Sequence, residues 1–182
     1  MILFIDTHAE LITVALKNND DLFIKTQSSE YSHSIYTMPM IESLFKDNNL
    51  NVRNLKKIIV VNGPGSFTGI RIGLSIAKTM AYALNIDINT ISSLTAYLVS
   101  DSKKEKRKAV IKDNKGYYIS VFDEKNENIV PEFYSEEDKY DYRVVEEKLD
   151  VDRIIKYCSK MKSENPHHVK ANYVKKIEVE SW

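Results

Sequence analysis

The chain has 182 residues, 43% of them hydrophobic and 29% charged, with 26 Lys+Arg against 26 Asp+Glu, so the formal net charge is zero. That composition suits one globular domain or two small lobes sharing a core, and it excludes a strongly basic nucleic-acid clamp. Cys158 is the single cysteine, so an internal disulfide is excluded too; no apolar run reaches bilayer length, and the N-terminus lacks the basic region of a signal peptide, which sets the expectation of a cytoplasmic protein with no membrane association.

Residues 1–6 are apolar with β-branched and aromatic content and predict a buried strand. Residues 11–16 alternate around Ile12, Val14 and Leu16. The turn residues Asn18-Asn19-Asp20-Asp21 then lead into a third strand over 22–26. Ser32 or Ser34 can cap a helix carrying Ile35, Met38, Ile41, Leu44 and Phe45 at three- and four-residue spacing, with Pro39 expected near its first turn. The run 58–61 is wholly apolar, as in the middle of a sheet. A glycine-rich loop and a long helix to about Leu84 follow it, then a strand over 86–91 and a helix over 92–99. The stretch 100–108 reads as too charged to bury and marks a boundary. It separates a packed lobe, residues 1–100, from a smaller, highly charged C-terminal lobe, residues 101–182. There, 109–112, 117–122 and 129–134 predict strands, and 144–162 shows weak helical spacing. The order implies a mixed α/β fold.

Four of the five glycines, Gly63, Gly65, Gly69 and Gly73, fall within eleven residues. The loop Gly63, Pro64, Gly65, Ser66, Phe67, Thr68, Gly69 fits two jobs: a tight turn seating a helix on a sheet, or an anion site at that helix's N-terminus. It matches neither the P-loop nor the G-x-G-x-x-G spacing. In the helix, Gly69, Gly73, Ala77 and Ala81 form a stripe of small residues that lets another helix approach closely. Large apolar side chains occupy the other faces, so the helix is expected to be covered nearly all round, either by the flanking helix alone or by a partner subunit as well. No histidine or cysteine pair has metal-ligand spacing, and no G-x-S-x-G elbow is present. Asp6, at the end of the first strand, is the single acid in a typical catalytic position.

Three segments resemble the TsaB (YeaZ) family, the dimerisation subunits of the bacterial tRNA threonylcarbamoyladenosine machinery. They are Ile2-Leu3-Phe4-Ile5-Asp6-Thr7, then Ser32-His33-Ser34 leading to Met38-Pro39-Met40-Ile41, and above all the continuous stretch from Val60 through the glycine loop to Lys78. Beyond residue 100 the likeness is thinner: Ile111-Lys112-Asp113 with Tyr117-Tyr118, and Ala171-Asn172-Tyr173-Val174-Lys175, look like worn forms of two further family signatures.

The resemblance implies an actin-like ATPase (ribonuclease H-like) fold of two lobes with a reduced second lobe. It implies a non-catalytic subunit that binds TsaD, with TsaE, and supports transfer of threonylcarbamoyl to the adenosine next to the anticodon of tRNA. On that reading the chain binds no cofactor alone, while the complex uses ATP and threonylcarbamoyl-adenylate. The expected partner interface combines Tyr36, Met40, Ile41 and Leu44 with Gly69, Arg71, Gly73, Leu74, Ala77 and Ala81. Two other classes stay open: a small ATPase or acyl-transferase acting through Asp6 and the 63–69 loop, and a self-contained homodimer. Asp6-Thr7-His8 lacks the glycine that an active member of this superfold favours at its first phosphate loop.

Overall fold

A computed structural model describes residues 1–29 and 32–175. Strands β1 (Ile2–Asp6), β2 (Leu11–Asn18) and β3 (Asp21–Ser28) form an antiparallel meander. Helix α1 (His33–Asp47) and a short 3-10 turn, Val52–Asn54, lead to β4 (Lys57–Val61), which pairs parallel with β1. Helix α2 (Phe67–Leu84) returns the chain to β5 (Asp87–Ile91), parallel to β4, completing a five-stranded sheet of order β3-β2-β1-β4-β5. In β1 and β4 the last four residues are all buried, which is why these strands are continuously apolar. Leu3, Ile5, Ile58 and Val60 face α1 and α2, while Phe4, Ile59 and Val61 face the opposite layer.

Helix α3 (Ser93–Ser100), capped by the Ser92 hydroxyl, separates this sheet from a second one. The second sheet holds β6 (Arg107–Asp113), β7 (Gly116–Phe122), β8 (Asn128–Ser135) and the short β9 (Arg143–Val144), in the order β8-β7-β6-β9. Leu94, Tyr97 and Leu98 pack on Ala109, Phe122 and Val145, while Ala96 belongs to the first sheet's cluster. Helix α4 (Val151–Cys158) buries Val151, Ile154, Ile155 and Cys158 against Phe4, Ala15 and Ile59. The segment after it stays with the first sheet: Glu164 pairs with Ile88 at the β5 edge, and the Asn172 N–H donates to the Asn62 carbonyl at 2.8 Å. Residues from Val151 to Asn172 thus attach to the first lobe, although they follow the charged linker in sequence.

Four expectations are corrected. Pro39 lies well inside α1, not in its first turn; both it and Ile35, whose carbonyl loses its partner there, are exposed, so water can take that bond. The helix expected within 144–162 is confined to α4, the part whose apolar residues reach the sheet. The charged linker is not wholly solvated, for Arg107 is completely buried. Its Nη1 donates to the carbonyls of Glu105 (3.1 Å) and Asp123 (2.9 Å), and its Nη2 to Leu98 O (3.1 Å) and Asn126 Oδ1 (2.5 Å). Both terminal nitrogens of the buried guanidinium are satisfied in this way, while Nε has no hydrogen-bond partner and lies 4.0 Å from Asp101 Oδ2, whose charge offsets part of the burial. Lys108, also buried, donates to Asp138 Oδ1 at 2.6 Å and to the Tyr140 carbonyl at 2.7 Å.

The fourth correction concerns the small-residue stripe. Gly69, Gly73, Ala77 and Ala81 are all buried in this chain's own core. A Cβ at Gly69 would collide with the Thr7 carbonyl and the His33 ring, and one at Gly73 with Thr7 Oγ1. The stripe seats α2 on the end of β1, and no room is left there for a partner helix. Gly73→Leu is therefore expected to damage the fold, not an interface. Overpacking at such a site costs about 3 kcal/mol, to be read by chemical denaturation. Stability within about 0.5 kcal/mol of wild type, the range of an inconsequential surface change, would show that the stripe is not seated as described.

Candidate functional site

The junction of β1, the 63–69 loop and α3 gathers the residues that the sequence marked for chemistry. Asp6, Thr7 and His8 are buried at the end of β1. Asp6 Oδ1 accepts from the His8 backbone N–H at 3.0 Å and faces His8 Nδ1 at 2.6 Å, while His8 Nε2 lies 2.8 Å from the Tyr97 hydroxyl. Burial works to lower the His8 pKa. The charge of Asp6 and its hydrogen bond, with Glu147 adding, outweigh it, and the net direction is up. Burial first, then the charges of Asp6 and Glu147, raise the Tyr97 phenol and keep it protonated. With the ring charged, both nitrogens donate, Nδ1 to Asp6 and Nε2 to Tyr97.

The loop opposite is clamped on both sides. Gly63 and Gly65 take φ of +102° and +150°, and a Cβ at Gly65 would run into the His8 carbonyl and ring. The Ser66 N–H donates to His8 O at 2.6 Å, and the Ser66 hydroxyl caps α2 by accepting from the Gly69 N–H. From α3, the Ser93 hydroxyl donates to Pro64 O at 2.5 Å and its N–H to Gly63 O at 3.0 Å. A cleft of about 360 Å³ opens beside His8 and Gly65, bounded across the way by Lys112, Asp113 and Glu147.

At this junction the His8 ring and carbonyl crowd Gly65, the Ser66 N–H donates to His8 O, the Gly69 N–H to the Ser66 hydroxyl, and Asp6 faces His8. Among the described residues, no group of three or more His, Cys, Asp or Glu side chains could hold a metal ion. Burial pushes the Cys158 thiol up to about 12, which leaves it inert. His8 and Tyr97 are the members of this cluster that sequence reasoning missed. A histidine two residues after a strand-ending aspartate was a usable signal; a tyrosine 89 residues further on was not.

The two worn signature segments meet across the cleft. Lys175 Nζ donates to Asp113 Oδ2 at 3.1 Å and to the Tyr134 hydroxyl at 3.2 Å. A backbone N–H bond from Asn114, then the Lys175 ammonium, hold the Asp113 carboxyl below the usual range. Glu132 on β8 accepts from the Ser92 hydroxyl and, at 2.5 Å, from Asn172 Nδ2, tying the second sheet to α3 and to the C-terminal segment.

Of the ten residues expected at a partner interface, Ile41, Leu44, Gly69, Gly73, Leu74, Ala77 and Ala81 are buried in the chain's own core. Tyr36 and Met40 are half-buried against it, and Arg71 is exposed. On the outward surface of α1 and α2, Ile35 (65%), Phe67 (54%) and Tyr82 (67%) are exposed, while Met38, Ile72, Ile76 and Met80 are half-buried, Met38, Ile76 and Met80 packing against the core. Two apolar grooves, of about 460 and 540 Å³, run along it and share Met38. The i, i+4 spacing of Ile72, Ile76 and Met80 was the sequence signal for this face. No helix among the described residues is long and apolar enough to cross a membrane.

The family profile described as TsaD, tRNA N6-adenosine threonylcarbamoyltransferase, matches residues 26–157. The tRNA threonylcarbamoyladenosine biosynthesis protein TsaB of Bacillus subtilis is 41% identical over 51% of this chain and 41% of its own length. The TsaB protein of Buchnera aphidicola from Schizaphis graminum is 30% identical over 61% of this chain and 53% of its own. The chain thus spans about half the length of these curated relatives. Two structures from Pseudomonas aeruginosa, YeaZ and a protein described as similar to peptidase YEAZ, superpose with TM-scores of 0.80 and 0.83. They cover 94% and 96% of this chain and 99% of their own, at 16% identity, which shows a shared fold: the two-sheet, actin-like ATPase (ribonuclease H-like) architecture.

The His8–Asp6 pair sets a pH dependence. Because the folded pKa of His8 lies above its ordinary 6.5, the stability it contributes is complete below about pH 6.5 and is lost as pH rises through the folded value. Denaturation of wild type and His8→Gln across pH 5 to 9 should show the largest gap at the acid end and a narrowing gap above it. A gap that widens with pH would reverse the assignment.

Proposed function

Because the chain belongs to the TsaD family and, within it, to the TsaB (YeaZ) group, we propose that it is a non-catalytic partner subunit of the cytoplasmic tRNA threonylcarbamoyladenosine machinery. In this reading it binds TsaD, acts with TsaE, and supports transfer of threonylcarbamoyl to the adenosine next to the tRNA anticodon. The chain itself binds no cofactor; ATP and threonylcarbamoyl-adenylate are used by the complex, and tRNA is met through the complex. The observation that carries the proposal is the division of labour on α2, small residues inward and Phe67, Ile72, Ile76 and Met80 outward, which leaves an apolar two-helix face beside α1. An exposed apolar face of this kind is suited to a protein partner. The occupied state of Asp6 supports the non-catalytic half of the reading. A subunit can act in this way by favouring its partner's active arrangement, for which a few kcal/mol of differential binding are enough.

The test is threonylcarbamoyladenosine formed by purified TsaD and TsaE, with tRNA, ATP and threonylcarbamoyl-adenylate, in the presence and absence of this chain. Product formation is expected to require the chain. Ile72→Glu should abolish both TsaD binding and product without unfolding the protein, whereas folded Asp6→Asn should retain most of the activity. A folded Asp6→Asn variant that binds TsaD normally yet yields no product would instead favour the ATPase or acyl-transferase reading through Asp6 and the 63–69 loop. Sizing the isolated chain with and without TsaD separates the homodimer from the heterodimer.

A further inference from the structure

Arg71 stands on α2 one turn after Phe67, at the rim of the outward groove. Its guanidinium carbon lies 3.6 Å from the centre of the Phe67 ring. Its Nε and Nη2 donate to the Tyr173 hydroxyl at 3.3 and 3.2 Å, and the Tyr173 ring tilts against Phe67 with centroids 6.2 Å apart. Phe67 and Tyr173 are themselves 54% and 55% exposed, so this stack buries little and does little for the core. What it does is hold a long, otherwise mobile side chain in one place. Among the described residues Nη1 makes no hydrogen bond, and no carboxylate lies within ion-pair distance of Arg71.

Besides Phe67 and Arg71, the groove is lined by Ser34, Met38, Thr68, Ile72, Ser75 and Ile76, with no acidic residue among the described residues that line it. It thus presents an apolar trough with one uncompensated cation at its rim. A guanidinium whose rotamer entropy is already lost, with a free pair of N–H groups, is prepared to receive a carboxylate in fork geometry. The same charge disfavours a cationic side chain at that point, which gives discrimination as well as attraction.

We propose that Arg71, positioned by Phe67 and Tyr173, is the specificity-determining cation of the docking face. It receives an Asp or Glu carboxylate carried by an otherwise apolar helix of the partner subunit that lies in the groove between α1 and α2. The assignment rests on the partner-subunit reading above. It also gives the C-terminal segment a role in recognition, since Tyr173 reaches Arg71 from 102 residues away.

The experiment measures affinity for purified TsaD of the same organism at low and high salt, with wild type, Arg71→Gln, Arg71→Lys and Tyr173→Phe. Arg71→Gln should weaken binding about ten- to a hundred-fold at low salt and remove much of its salt dependence. Arg71→Lys should restore the salt dependence but only part of the affinity, because an ammonium is a point charge without the fork. Tyr173→Phe should weaken binding in the same direction and by less. Both positions are exposed, so the melting temperatures of all three variants should match wild type and confirm that folding is intact. If Arg71→Gln binds TsaD as tightly as wild type with an unchanged salt dependence, Arg71 is not the recognition group, while the partner reading stands. If wild type does not bind TsaD at all, the partner reading falls and this assignment falls with it.

Discussion

The contact on which the structure turns is the seat of α2 on the end of β1. Thr7 Oγ1 donates to the Gly69 carbonyl at 2.7 Å, and the Cα atoms of Gly69 and Gly73 lie so close to Thr7 that neither position has room for a methyl group. Such an approach fixes the helix axis relative to the sheet more tightly than interdigitated large side chains would, because nothing can slide without collision. From that fixed axis other placements follow. The Ser66 cap lies within reach of the His8 carbonyl, and the His33 ring, beside Gly69, reaches the Ala9 carbonyl at 2.9 Å. Ile70, Leu74, Ala77 and Ala81 turn toward Leu3, Ile5, Ile58 and Val60.

The same seat decides what the β1 terminus can do. In a phosphate-binding version of such a junction the strand end and the loop must leave a gap lined by free N–H groups. Here His8 O accepts from the Ser66 N–H, His8 bonds Asp6 and Tyr97, and Ser93 bonds Pro64, so strand end, loop and α3 are tied together. The second sheet is held against this junction by two polar clasps, Glu132 with Ser92 and Asn172, and Lys175 with Asp113 and Tyr134. Both clasps use the C-terminal segment, which also covers the edge strand β5 through Glu164, Ile88 and Thr90. An exposed edge is a pairing hazard, and a short run of terminal chain removes it.

Legibility in the sequence followed the range of the interactions. The strands of the first sheet and the two long helices were readable because each depends on neighbours within a few residues: the apolar run at 58–61 and the i, i+4 rows. The site was only half readable. Asp6 and the glycine loop stand out locally, but Tyr97 joins them through tertiary packing alone. Arg107 and Lys108 defeated the charge pattern because their partners, the carbonyls of Leu98, Asp123 and Tyr140, are invisible in a side-chain sequence. The resemblance of the first hundred residues pointed to α1 and α2 as the helices of the expected interface, yet residue type alone could not say which stripe faced inward.

That last ambiguity has a physical resolution. A helix with small residues on one face and large apolar residues on the others can turn either face toward the sheet. Large residues inward would bury more apolar surface per residue, but they would hold α2 too far from β1 for Thr7 to reach the Gly69 carbonyl or for Ser66 to reach His8. Small residues inward give up some of that burial at the stripe and recover it partly through Ile70 and Leu74, which flank the stripe and are both buried. The consequence is that Phe67 is left exposed while Ile72, Ile76 and Met80 are only half-buried, Ile76 and Met80 reaching the edge of the core. This partly covered apolar face beside Arg71 is the counterpart of the close seat that orders the β1 junction.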